Sequence, residues 1–105
     1  MTHPDLDPAA RERLGTACGK KAWELYQKLT ELMAGRNVTL ATIGLPENET
    51  RERKIERLRH YFDMVVAGQR RAATPEYGIC PACGKPLPLL LLQETPWQER
   101  HPGCE

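Results

Sequence analysis

The chain has 105 residues, of which 40% are hydrophobic and 28% charged, so its composition is that of one small folded domain with a thin core. Its net charge of +1 excludes an acidic tail and a strongly basic polyanion binder. A membrane-spanning helix needs about 20 consecutive apolar residues, and the sequence has no such run. Its first residues lack the pattern of a secretory signal, so we expect a cytoplasmic protein whose thiols stay reduced.

A first helix is predicted over residues 8–34. Asp7 suits the N-cap and Pro8 suits the first helical position. Apolar or small side chains recur at steps of three and four, which places them on one face: Leu14, Cys18, Ala22, Leu25, Leu29 and Leu32. Gly15 and Gly19 each weaken a helix by roughly 1 kcal/mol relative to Ala, and they permit close approach of another segment.

A second helix is predicted over residues 46–68. Its apolar stripe has the spacing typical of a coiled coil: Ile55, Leu58, Phe62 and Val65. The connector before it contains a β-rich segment, residues 38–43, which predicts a short strand. The two helices predict a mostly α fold, with an antiparallel helical hairpin over residues 1–71 and a tip at residues 36–50.

The remaining part, residues 72–105, contains prolines throughout and cannot form a long helix. It carries two paired motifs, Cys80-x2-Cys83 and His101-x2-Cys104, and the seventeen-residue gap between them is typical of zinc sites. Four protein donors close the coordination sphere, so we predict one structural Zn²⁺ in a zinc-ribbon-like finger. The alternatives to a metal site are a disulfide and free thiols. His101 is the expected fourth ligand, and the outside candidates for that position are Cys18 and His60.

The finger residues resemble a known family. Tyr77-Gly-Ile-Cys-Pro-Ala-Cys-Gly84, followed by Leu87, Pro96 and the His101-x2-Cys104 pair, is similar to the zinc finger of the TraR/DksA family, here with His in place of one Cys. The resemblance implies a helical hairpin before the finger and binding to bacterial RNA polymerase. In that family the hairpin enters the secondary channel, and acidic tip residues act near the catalytic magnesium. Glu47 and Glu49 are the acids at the predicted tip.

Other conspicuous residues have ordinary structural interpretations. We expect His3 and His60 to be exposed to solvent and Cys18 to be a small core residue. Trp97 is expected to cover the metal site. The leucine-rich run, residues 87–92, either packs against the helices, which we favour, or forms an exposed patch for a partner or a second copy.

No catalytic motif is present, because the sequence has no Ser and no glycine-rich phosphate loop. The absence of such motifs favours a non-enzymatic protein, and the resemblance to the TraR/DksA family implies a bacterial or phage transcription modulator that binds RNA polymerase. One alternative is a zinc-stabilised adaptor that binds another protein through the leucine run. Another is a nucleic-acid-binding zinc ribbon that uses the basic cluster Arg51–Arg59, although the acids within this cluster make nucleic acid the weaker interpretation. A homodimer is compatible with each of these.

Overall fold

The computed structural model describes residues 2–104. They form two long helices, a short third helix and one 3-10 turn: α1 (Pro8–Met33), the 3-10 turn (Ala41–Ile43), α2 (Arg51–Ala72) and α3 (Leu89–Glu94). These residues include no strand; an isolated antiparallel bridge joins Ile79 and Pro86. The mostly α fold class is therefore confirmed, whereas the strand predicted over residues 38–43 is wrong.

The first helix begins and ends close to where its sequence signals predict. The Asp7 carboxylate accepts a hydrogen bond from the Ala10 N–H at 2.7 Å, and Pro8 occupies the first turn. At the other end, Gly35 has a φ of 86°, a left-handed conformation that favours glycine and ends the helix. The predicted first helix is confirmed to within one residue.

The second helix is displaced toward the C-terminus relative to its predicted bounds of 46–68. It begins after Thr50, whose hydroxyl accepts a hydrogen bond from the Arg53 N–H at 3.3 Å and so caps the helix. It also runs through Gly68 to Ala72, because Gly68 is not a stop signal here but a contact point for Trp97. Residues 69–72, beyond the predicted end of the second helix, are thus helical.

The two long helices pack against each other as an antiparallel hairpin. Both predicted stripes face inward, and the core combines them with two residues of the loop: Cys18, Ala22, Leu25, Leu32, Leu40, Ile43, Leu58 and Val65. Gly15 lies beside Ala72, and Gly19 lies beside Gln69, so the segment that the two glycines admit is the end of α2. The loop that joins the helices, residues 34–50, is called the tip loop below.

A second core closes the opposite end of the hairpin. It contains residues from the N-terminal segment, the end of α2 and the finger region: Leu6, Ala72, Tyr77, Cys80, Leu87 and Leu92. We call residues 73–104 the base lobe. Within its leucine run, Leu87 and Leu92 are buried, while Leu89 and Leu90 are exposed, so the run is divided between the core and the surface.

One expectation about a single residue is wrong, and the position of Trp97 is defined by contacts with α2. His3 is not exposed but 3% accessible, because its Nε2 lies 2.7 Å from the Leu87 carbonyl oxygen and ties the N-terminal segment to the base lobe. Trp97 packs on α2, with its ring centroid 5.8 Å from that of Tyr61 and its backbone against Gly68.

Candidate metal centre

The first half of the candidate site is a tight turn around Cys80 and Cys83. The Cys80 N–H donates to the Lys85 carbonyl at 3.0 Å, and the Gly84 N–H donates to the Cys80 carbonyl at 2.8 Å. Gly84 has a φ of 72°, which a residue with a side chain rarely adopts. This turn brings two cysteine side chains to one side of the loop.

The second half is a similar turn from His101 to Cys104. The Cys104 N–H donates to the His101 carbonyl at 3.0 Å, and Gly103 has a φ of 93°. Both halves therefore use a glycine with positive φ beside the residues that carry the donor atoms. The sequence signal for each turn is a pair of donor residues separated by two other residues, together with a neighbouring glycine.

The two turns bring all four predicted metal ligands together. Cys80, Cys83, His101 and Cys104 each offer a donor atom, and these atoms all lie within 4.8 Å of one another. We call these residues the Cys3His group. They could hold one metal ion. Cys80 is buried, His101 and Cys104 are half-buried, and Cys83 is exposed. The group thus lies at the surface of the base lobe.

The imidazole of His101 is oriented by a backbone carbonyl. Its Nε2 lies 3.2 Å from the Pro86 oxygen, and its Nδ1 lies 3.3 Å from the Cys83 sulfur. A carbonyl oxygen can only accept a hydrogen bond, so Nε2 carries the proton and Nδ1 offers its lone pair toward the sulfurs. Metal-bound histidines commonly have such a partner on the second nitrogen.

The electrostatics of the group favour a thiolate at Cys80. Burial raises the pKa of its thiol, but hydrogen bonds outweigh this effect and lower the pKa from 9.0 to about 6. The donors are the backbone N–H groups of His101, Cys83 and Ala82 and the side chain of His101. The pKa of Cys104 is raised by burial and by the neighbouring sulfurs of Cys80 and Cys83. Crowded thiols that oppose each other's ionisation are the donors that a cation stabilises.

The outside candidates for the fourth ligand lie elsewhere. Cys18 is fully buried in the hairpin core, and burial raises the pKa of its thiol to about 11, although the charge of Arg71 lowers it slightly. It is the small core residue that the sequence predicts. His60 is exposed on α2, as expected. All four cysteines are free thiols.

The predicted tip acids both bind groups of their own chain. The Glu47 carboxylate accepts hydrogen bonds from the backbone N–H groups of Leu40 at 2.6 Å and Ala41 at 3.1 Å. The bonds from Ala41 and Leu40 lower the Glu47 pKa. Glu49 forms a two-point ion pair with Arg57, with N–O distances of 2.5 and 3.1 Å.

The basic cluster Arg51–Arg59 is partly neutralised by Glu49 and Glu56. Arg53 lies 3.8 Å from Glu49 and 3.7 Å from Glu56, in addition to the pair that joins Arg57 to Glu49. The hydrogen bond and the charge of Glu49 raise the pKa of Arg57. A solvated helix face therefore explains this part of the cluster.

Sequence reasoning missed the contacts that dock the metal site on the hairpin. The Arg71 guanidinium donates to the Trp97 carbonyl at 2.9 Å and pairs with Glu99 at 3.2 Å. Within the base lobe, the Tyr77 hydroxyl donates to the Pro96 carbonyl at 2.5 Å, another contact that the sequence does not indicate. The partners are 19 to 28 residues apart, so no local pattern in the sequence indicates them.

Comparisons with family models, with curated proteins and with solved structures give no match to this chain. Among the helices of residues 2–104, none has the length and hydropathy of a membrane-spanning segment. The site is therefore interpreted from its own geometry and from the sequence motifs.

Proposed function

We propose that the Cys3His group binds one structural Zn²⁺. Sulfur atoms around a tetrahedral zinc lie about 3.8 Å apart, so donor atoms within 4.8 Å of one another are close to coordinating spacing. Three thiols and one imidazole form a known structural ligand set, and four protein donors leave no open position for a substrate. The Pro86 carbonyl at the His101 Nε2 supports this assignment.

Metal analysis of the purified chain tests the zinc proposal. We expect about one zinc per chain, and replacement by Co²⁺ should give the absorption bands of tetrahedral thiolate coordination. Cys104→Ser should lose the bound metal. The matched control is Cys18→Ala, which removes a free thiol outside the Cys3His group and should keep the metal. Equal metal content in both variants would contradict the proposal.

We further propose that the chain is a non-enzymatic transcription modulator that binds bacterial RNA polymerase through its hairpin. The observation that carries this proposal is the position of the Cys3His group at the end of the hairpin opposite the tip loop. This is the order that the resemblance to the TraR/DksA family implies. The longest dimension of the molecule, 45 Å, leaves the tip loop far from the base lobe.

Glu47 and Glu49 remain the predicted acidic contacts at the tip. Because Glu47 also holds the tip loop together, Glu47→Ala removes a charge and two hydrogen bonds at once. Glu47→Gln removes the charge but retains an amide oxygen that can accept from Leu40 and Ala41. The pair of variants therefore separates an electrostatic function at the tip from a structural one.

Binding to purified bacterial RNA polymerase and a transcription assay test this proposal. We expect the chain to bind polymerase and to alter transcript yield. A charge-dependent tip function predicts that Glu47→Gln loses the transcriptional effect while it retains binding. Absence of binding by the metal-loaded chain would contradict the polymerase proposal, and it would leave the zinc proposal standing on its own test.

A zinc-stabilised protein adaptor is the second candidate. It is supported by Leu89 and Leu90, which are 36% and 66% exposed on α3. An adaptor predicts that Leu90→Gln abolishes partner capture while the metal content is unchanged. Salt-sensitive binding to generic DNA or RNA would instead indicate the nucleic-acid alternative.

A further inference from the structure

The tip loop borders a cavity of about 400 Å³ that is open to solvent and lies between the end of α1 and the start of α2. Leu32 and Val38 form its apolar part, and the rest of its lining is polar. Three cationic side chains border it: Arg36 from the tip loop, and Arg51 and Lys54 from the first turn of α2. The cavity is separate from the Cys3His group, which lies in the base lobe.

The three cations form no short ion pair with a carboxylate, although the charge of Lys54, after the backbone hydrogen bonds from Ala41 and Leu40, contributes to lowering the pKa of Glu47. Among residues 2–104, the ion pairs within 4.0 Å join other residues, and none includes Arg36, Arg51 or Lys54. Arg51 makes one long contact of 3.4 Å with the Gly35 carbonyl. This contrasts with Arg53 and Arg57 on the same helix, which are paired with acids. The chain thus neutralises one face of α2 and leaves the other face charged.

Glu47 is the one acid that borders the cavity, and its carboxylate already accepts hydrogen bonds from backbone N–H groups. The Glu47 carboxylate accepts from the Leu40 and Ala41 N–H groups, at 2.6 and 3.1 Å. Three cations and one carboxylate give the lining a net formal charge of +2. The N-terminus of α2 adds a positive partial charge on the same side.

We propose that this cavity binds a phosphate group, either inorganic phosphate or the phosphate of a small monoester. A phosphate monoester carries a charge of about −1.5 to −2 at pH 7, which matches the net charge of the lining. Guanidinium groups bind phosphate oxygens through paired hydrogen bonds, and Lys54 supplies a third, compact charge. The proposal depends on neither the zinc proposal nor the polymerase proposal.

Titration of the metal-loaded chain with inorganic phosphate, AMP and adenosine in a phosphate-free buffer of low salt tests this proposal. We expect saturable binding of phosphate or AMP at one site and no binding of adenosine. AMP that binds more tightly than phosphate identifies a monoester as the ligand, and similar affinities identify the free anion. Arg51→Gln and Lys54→Gln should each weaken binding by about tenfold, since each removes a charge-assisted contact.

The matched control is Arg59→Gln, which removes an exposed arginine of α2 that does not border the cavity. It should leave the affinity unchanged. Lys54→Gln keeps the test valid if Arg51→Gln disturbs the loop, because the Lys54 side chain forms no hydrogen bond or ion pair within residues 2–104 and its backbone hydrogen bond to Thr50 does not depend on the side chain. Absence of saturable phosphate and AMP binding, equal binding of adenosine, or equal weakening by Arg59→Gln would overturn the proposal.

Discussion

The hairpin and the base lobe of this chain are held together by different means. The hairpin has two long helices whose apolar stripes repeat every three or four residues and meet in one core. The base lobe has a single helix, α3, of six residues, and its core depends on contacts with Leu6 and with Ala72 at the end of α2. A segment with so little regular structure needs a cross-link to stay ordered, and the Cys3His group supplies the donors for one.

This difference predicts that the two regions respond differently to loss of the proposed zinc site, and here we expect the largest effect. Cys80→Ser should unfold much of the base lobe, because structural zinc can contribute on the order of 10 kcal/mol in small fingers. The helices of the hairpin should persist, since their core includes none of the Cys3His residues. Only Ala10, Leu14 and Ala72 of the long helices belong to or pack against the second core, which contains Cys80. Amide exchange resolved by residue measures both regions. Equal loss of protection in hairpin and base lobe would remove the distinction.

The next largest effect concerns the point where the base lobe docks on α2. An added Cβ at Gly68 would lie 2.6 Å from both the Cα and the Cβ of Trp97, which cannot move aside without shifting the backbone. Gly68→Ala should therefore lower the free energy of unfolding by about 1–3 kcal/mol, despite the better helix propensity of alanine. Thermal unfolding of the metal-loaded chain measures this loss.

Gly19→Ala is the matched control for that substitution. Its added Cβ would meet the end of the Gln69 side chain at 2.9 Å, and a flexible side chain can turn away. We expect an unchanged or higher stability, by up to about 1 kcal/mol. Equal destabilisation by the two substitutions would show that the contact between Gly68 and Trp97 has no special importance.

A smaller loss is expected at Tyr77, which joins two parts of the base lobe. Its buried hydroxyl donates to the Pro96 carbonyl at 2.5 Å, and burial raises its pKa, so it stays a donor. Tyr77→Phe should lower stability by about 1–3 kcal/mol, since it leaves a buried carbonyl without its partner. Chemical denaturation measures the change, with Tyr26→Phe on the exposed side of α1 as the control. Equal values for the two variants would contradict this assignment.

The smallest effect is expected at the tip loop and depends on pH. The backbone hydrogen bonds from Ala41 and Leu40 lower the Glu47 pKa from its ordinary value of 4.5, so the folded loop favours the carboxylate. The stabilisation is complete above pH 4.5 and is lost as the pH falls through the lowered pKa of the folded state. Exchange of the Leu40 and Ala41 amides, corrected for intrinsic rates, should increase over that range, and Glu47→Ala should show fast exchange at every pH. A profile unaffected by Glu47→Ala would contradict this function of Glu47.

The sequence predicts the periodic and the closely spaced features of this molecule. The stripes of α1 and α2 and the four residues of the Cys3His group follow from local spacing, and the structure brings each set together. The sequence predicts the start of α2 at residue 46, five residues before its observed start at Arg51. In the structure the Glu47 side chain binds the backbone of residues 40–41 instead of joining the helix, and this long contact is not visible in the local pattern. Burial of His3 against Leu87 was not predictable, since 84 residues separate the two.

The metal content of the purified chain tests the central claim most directly. Elemental analysis should find about one zinc per chain, and the metal should remain bound through gel filtration. A chain that contains no stoichiometric metal, and whose amides over residues 77–104 are still protected from exchange, would contradict the account.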